Sequence, residues 1–169
     1  LNYIFTLLTT QLNSVVILVT ATLPMIYNPK YDPIIIELAK DKDRWFCELN
    51  RIKIDKTRIA EKLSIEDLAG IIAKDHLANP TAKRLAIVNT IRSSLELYKI
   101  LTDKLPDTAF IYLSSNVIPK HRLRRIKDIK ESQNEGMIII STQVVEAGVD
   151  IDVDVVYRDL APLDSIIQA

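Results

Sequence analysis

Glycine is scarce in this 169-residue chain, with only three residues, and neither a G-x-x-x-x-G-K-[ST] loop nor a G-x-G-x-x-G turn occurs. Nothing in the sequence therefore cradles β- and γ-phosphates or marks a dinucleotide fold. A single cysteine, Cys47, rules out an intramolecular disulfide, and no Cys/His cluster has metal-site spacing. Net charge is also missing: 22 basic and 22 acidic side chains cancel. Nucleic-acid binding announced by bulk charge is excluded, so any such binding has to come from local patches. No charged residue precedes Lys30. A secretory signal needs a basic leader, which is absent. A membrane helix needs roughly 20 nearly continuous apolar residues. Here Thr9, Thr10, Gln11, Asn13 and Ser14 interrupt, and the longest purely apolar run is Val15 to Val19. The opening is expected to be an interior helix followed by a buried strand.

Apolar residues make up 48% and charged residues 26%, the composition of a globular protein. The length suits one compact α/β domain with an appendage. Ile4, Phe5, Leu7, Leu8 and Leu12 are spaced for a short helix. Val15–Val19 is β-branched and reads as a strand buried on both faces. It stops at Thr20-Ala21-Thr22-Leu23-Pro24, and Asn28-Pro29 and Asp32-Pro33 mark irregular chain. Trp45 to Ile54 alternates loosely and predicts one or two strands. Ser64-Ile65-Glu66-Asp67 opens a helix to about His76, closed by Asn79-Pro80. A regular pattern follows: strand Arg84–Val88, helix Thr90–Leu105, strand Thr108–Leu113, helix Pro119–Lys130, strand Met137–Ser141 and strand Val153–Tyr157, with Asp164 capping a further helix. Alternating strands and helices predict a parallel sheet with helices on its faces.

Open parallel sheets bind ligands at the carboxyl ends of their strands. Four of the predicted strands are followed there by small hydroxyl or amide residues: Thr20 and Thr22, Asn89 and Thr90, Ser114 to Asn116, then Ser141, Thr142 and Gln143. Any one of these is explained by helix capping, but their recurrence points to phosphate contacts. Gly148 lets backbone approach a ligand closely, and Asp150 suits sugar hydroxyls. A glycine turn with solvated aspartates explains the same residues.

The stretch Ser141-Thr142-Gln143-Val144-Val145-Glu146-Ala147-Gly148-Val149-Asp150-Ile151-Asp152 resembles motif V of the CRISPR-associated superfamily 2 helicase-nucleases of type I systems. Residues 159–169 resemble the lead-in to their motif VI, 20–24 their motif III, and Asn89-Thr90 stands at their motif IV. The resemblance implies a second RecA-like helicase lobe, a parallel sheet flanked by helices, with a short N-terminal helix–strand piece of the first lobe. It divides the chain into 1–24, the end of the first lobe; 25–80, an interlobe linker with lead-in elements; and 81–169, the second lobe. Thr142 and Gln143 would touch single-stranded DNA, with Asn89, Thr90 and Ser115 adding phosphate contacts. Gly148 and Asp150 would face nucleotide, Glu146 would lie between the two sites, and Thr20, Ala21 and Thr22 would relay nucleotide state.

The implied parent is a cytoplasmic, ATP- and magnesium-dependent translocase that unwinds foreign DNA beside a CRISPR RNA-guided surveillance complex. Its first RecA-like lobe and nuclease module are further partners. This polypeptide carries no phosphate loop, no acidic pair before Thr20, no motif VI arginines and no nuclease histidines. By itself it is expected to bind no ATP or magnesium and to be inactive, since an arginine finger alone contributes about 10³–10⁵ in rate. Residues 1–24 are expected to dock on the sheet or self-associate, and no membrane contact is expected. The competing reading is a non-catalytic RecA-like module that binds nucleic acid or protein.

The run Lys120-His121-Arg122-Arg124-Arg125-Lys127-Lys130 reads either as a phosphate track, led by Arg122, or as a solvated helix face. In both cases Leu123 and Ile126 are expected to anchor the helix. Trp45 is expected in a core with Phe46 and Leu49, and Cys47 as a small buried residue.

Overall fold

A computed structural model describes residues 2–19, 36, 38, 40–48, 52–132, 136–146, 149–162 and 165–166, in two compact units divided between Thr57 and Arg58. The first unit holds α1 (Asn2–Thr10) and α2 (Lys42–Glu48). The expected strand at Val15–Val19 is not formed: that stretch is irregular, with Val15 87% and Val19 93% exposed. A β-branched run becomes a strand only when a neighbour completes its ladder, and none stands among the described residues of this unit. The strands expected over 45–54 are likewise corrected. Trp45 and Cys47 lie on α2, where Arg44 pairs with Glu48 one turn on (2.9 Å), and both are exposed rather than buried.

The second unit carries the sheet. It opens with α3 (Ile65–Ala78), started by a reciprocal cap in which Ser64 Oγ accepts from the Asp67 amide and the Asp67 carboxylate accepts from the Ser64 amide, both 3.1 Å. Then follow β1 (Arg84–Ile87), α4 (Ile91–Lys104), β2 (Phe110–Leu113), α5 (Pro119–Glu131), β3 (Ile138–Ser141), a 3₁₀ turn at Gln143–Val145, and β4 (Val155–Arg158). The four strands run parallel in the order β2-β3-β1-β4. The expected parallel sheet flanked by helices is therefore what forms. Asp164 lies outside the described residues.

The central strands β1 and β3 are buried along their whole length, and alternate side chains feed two cores. Ala86, Val88, Ile138 and Ile140 meet Ala69, Ile72, Leu97 and Leu101 of α3 and α4. Leu85, Ile87, Met137 and Ile139 meet Ile129 of α5 and Val145. Each such Leu or Ile contributes roughly 1.5–3 kcal/mol by leaving water. The edge strand β2 is braced by Tyr98, whose ring stands edge-on to Phe110 and Tyr112 at 6.0 and 5.7 Å. Before β3, Gly136 adopts φ +81°, where a Cβ would stand 1.9 Å from the Pro80 carbonyl oxygen. Only glycine fits that turn.

Helix α5 is anchored differently from expectation. Leu123 is 68% exposed, while Ile129 is buried and Ile126 packs on the same core. The buried stripe of a 3.6-residue period then also carries Arg122 and Arg125, both half-buried, and Arg125 Nη1 donates to the Tyr112 carbonyl at 2.5 Å. The helix thus turns two of its cations toward the sheet.

At the amino ends of the strands, Arg84 is wholly buried yet fully paired. Its Nε donates to Asp75 (2.9 Å), and its other nitrogens donate to the carbonyls of Ala82 (2.7 Å), Asp75 (2.8 Å) and Asn79 (2.8 Å). Those last two carbonyls lie at the α3 C-terminus, where Asp75 also accepts from the Asn79 amide (3.0 Å) and Asn79 from the Ala82 amide (3.4 Å). Tyr157 donates its phenol proton to Asp75 at 2.6 Å. That bond, with Arg84 beside it, holds the Asp75 carboxyl below its ordinary range, while burial and Asp75 push the Tyr157 phenol upward. His76 is pushed down, by burial first and the guanidinium second. Because Arg84 can only donate to His76 Nδ1 (3.3 Å), the ring proton is assigned to Nε2, which faces Thr108 Oγ1 at 3.1 Å.

Candidate functional site

The parallel register aligns Leu113, Ser141, Ile87 and Arg158 across the sheet, so whatever follows each strand lies on one rim. Asn89 is the centre of that rim. Its side-chain oxygen accepts from Arg158 Nη1 (2.8 Å) and Gln143 Nε2 (3.3 Å), and its side-chain nitrogen donates to the Leu160 carbonyl (2.7 Å). Gln143 also donates to the Asn89 backbone carbonyl (3.1 Å), and the Asn89 amide donates to Asp159 (3.2 Å). Arg158 Nη2 pairs with Glu146 Oε1 at 2.7 Å, both side chains less than a tenth exposed. The ends of β1, β3 and β4 are thereby tied through side chains.

Asn89, Gln143 and Glu146, selected from sequence, are brought together here. Asn89 and Gln143 remain exposed. Since Arg158, buried beneath this rim, is matched by a carboxylate, the rim offers amides and hydroxyls more than charge. Such groups position a sugar–phosphate chain without reading its bases.

A family model described as "CRISPR-associated nuclease/helicase Cas3, C-terminal" matches residues 81–169. The chain belongs to the Cas3-like family. It is 43% identical over 88 residues to a CRISPR-associated nuclease/helicase Cas3 of Streptococcus thermophilus, covering 48% of this chain and 10% of that protein. Against the Methanothermobacter thermautotrophicus Cas3 it is 33% identical over 117 residues, covering 68% and 13%. The chain thus spans about a tenth of the length of these curated relatives. Two crystal structures of T. fusca Cas3, one described as Cas3-ADP, share the fold at TM-scores of 0.52 and 0.51, with 22% and 23% identity. Both comparisons cover 59% of this chain, and 13% and 12% of the T. fusca chains. The sheet is a RecA-like lobe of the Cas3 kind.

The other selected residues of this Cas3-like lobe are placed as follows. Thr90 is the N-cap of α4, its Oγ1 accepting from the Ser93 amide at 3.0 Å, so capping accounts for its side chain. Ser115 is exposed in the turn after β2, and Arg122 is half-buried in the first turns of α5. Thr142 is only 4% exposed, with its amide bonded to the Leu113 carbonyl, and offers little surface to a polymer. Asp150 does not join the Asn89 network. Its side chain is 99% exposed and stands 3.6 Å from Lys130 in the last turn of α5, because the chain must return across the sheet to begin another parallel strand. Thr20, Ala21, Thr22 and Gly148 lie outside the described residues. Among the described residues no group of three or more His, Cys, Asp or Glu could hold a metal ion, and no helix is long and apolar enough to cross a membrane.

Sequence reasoning missed Arg158. The available signal was a charged residue closing the otherwise apolar run Val155-Val156-Tyr157, but the carboxylate it meets lies 12 residues earlier.

Proposed function

We propose that residues 81–169 form the second motor lobe of an ATP- and magnesium-dependent helicase or translocase on single-stranded DNA, acting in CRISPR interference. In this reading 1–24 close the first lobe, 25–80 connect the two, and the parent also engages a nuclease module and an RNA-guided surveillance complex. The carrying observation is the rim on which Asn89, Gln143 and Glu146 converge within the segment that matches the Cas3 family. Exposed amides at strand ends suit phosphodiester oxygens, and a carboxylate one turn away links that track to nucleotide. The relative described as Cas3-ADP supports a nucleotide in the parent; by the resemblance of 141–152 to motif V, Gly148 and Asp150 would face it.

The test is a titration of fluorescent single-stranded DNA against the full-length protein, with and without ATP, together with DNA-stimulated ATP hydrolysis. Salt-sensitive binding that changes with ATP, weakened by Gln143→Ala and Arg122→Ala, is expected. Binding indifferent to ATP and to both substitutions would replace the motor with a non-catalytic RecA-like module.

A further inference from the structure

Arg158 closes β4 with a side chain 8% exposed, yet one of its donors is unused. Nη2 binds Glu146 (2.7 Å), and Nη1 binds Asn89 (2.8 Å) and the Asp159 carbonyl (3.1 Å), but Nε is buried with no partner. The Glu146 carboxylate engages the guanidinium through one oxygen rather than the two-bonded fork the pair can make. An ion pair this dry contributes little net stability, because desolvation offsets attraction. What it does supply is geometry. It spans from the end of β4 to the 3₁₀ turn after β3, and through Asn89 it reaches the end of β1 and the Gln143 amide. Gln143 is the exposed end of this chain of contacts.

We infer that Arg158 is a positioning residue: gripping Glu146 and Asn89 together, it sets the turn after β3 so that the Gln143 amide meets the backbone of single-stranded DNA. The inference rests on the motor-lobe reading above. Lysine in its place keeps the charge but cannot bond both partners from one plane. The two ends of the pair therefore act as a unit on DNA affinity, and either one alone is insufficient.

The experiment uses the full-length protein and a fluorescent oligothymidylate, with the unfolding midpoint measured in parallel. Arg158→Gln and Glu146→Gln are each expected to raise the Kd for the oligonucleotide about tenfold, the loss expected for one well-aligned charged contact. The double variant is expected to match the weaker single rather than show their product. Arg158→Lys, which keeps the buried cation should Arg158→Gln fail to fold, is expected to raise Kd several-fold at a near-native midpoint. A lowered midpoint with unchanged Kd in the folded variants overturns the inference and leaves the pair purely structural. So do multiplicative singles. Gln143→Ala separates the two levels: if it weakens DNA binding while Arg158→Lys does not, only the positioning role falls. If wild-type protein binds no oligothymidylate, the motor-lobe reading falls with it.

Discussion

Two arginines stand at opposite ends of one sheet, each bonded to a carboxylate, and they make different things of similar chemistry. Arg84 begins β1 and is saturated: a carboxylate, three carbonyls and a histidine take up its donors within an enclosed shell. Arg158 ends β4 with Nε unpartnered, inside a network whose outer members, Asn89 and Gln143, face solvent. A closed polar network fixes structure, while an open one has groups left for a ligand. The amino ends of the strands are the foundation, and under the motor-lobe proposal the carboxyl ends are the working face.

The sharpest way to break this contrast is Arg84→Met. It removes the guanidinium from three carbonyls, of which those of Asp75 and Asn79 keep a backbone donor, and leaves Asp75 without its cation. Removing one partner of a buried pair costs about 3–5 kcal/mol, and the lower end is expected because Asp75 is partly solvated. Urea unfolding of the chain measures it. A loss under about 1 kcal/mol would show that the network is not foundational. Gly136→Ala tests the same end without charge. With φ at +81° and a Cβ driven into the Pro80 carbonyl, a loss of about 2–3 kcal/mol is expected by the same assay.

Protonation probes the closed network more gently. The native pKa of His76 is depressed, so its contribution is complete above the unfolded value near 6.5 and declines as pH falls through the lowered native value. Asp75, also depressed, adds a second decline below about 3.8. Tyr157 is raised, so its contribution holds below about pH 10 and fades above it. Unfolding free energy should therefore fall on acidification below pH 6.5, and His76→Gln should flatten that slope. An unchanged slope in His76→Gln would place the titrating group elsewhere.

How legible each end was in sequence follows from the range of the interactions. Thr90 as a cap, Pro119 opening α5 and the Ile138-Ile139-Ile140 run are local signals, and they set elements to within two residues. Trp45 and Val15 were misread because loose alternation and β-branching predict strands only where a partner strand exists. On α5 Ile126 faces the core as its spacing predicts, but the buried stripe runs on to Ile129 and not back to Leu123. At the rim, Asn89, Gln143 and Glu146 were visible because they follow strands. Arg158 was not, since its partners come from β1 and β3 and depend on a parallel register no local pattern encodes.

At the open end, effects should shift from stability to ligand. Gln143→Ala removes an exposed amide and two long hydrogen bonds, so stability should change by about 0.5 kcal/mol or less. In the full-length protein, affinity for single-stranded DNA should drop about three- to tenfold, by fluorescence anisotropy. A variant that loses stability and keeps its DNA would move Gln143 to the foundation.

Asp150→Asn is the mildest substitution and the most discriminating. Among the described residues its carboxylate pairs with Lys130 alone, at 3.6 Å on an open surface, an ion pair of the kind that contributes almost nothing. The unfolding midpoint should not move, and single-stranded DNA should bind as before. If Asp150 instead faces nucleotide in the parent, as the resemblance implies, the KM for ATP should rise several-fold in the full-length protein. A change there with no change in stability would mean that a residue idle in the isolated lobe acquires its role only when the nucleotide is present. No change in either would confine the working face to the Asn89 network, leaving the connection to β4 as a return across the sheet anchored by Val149, Ile151 and Val153.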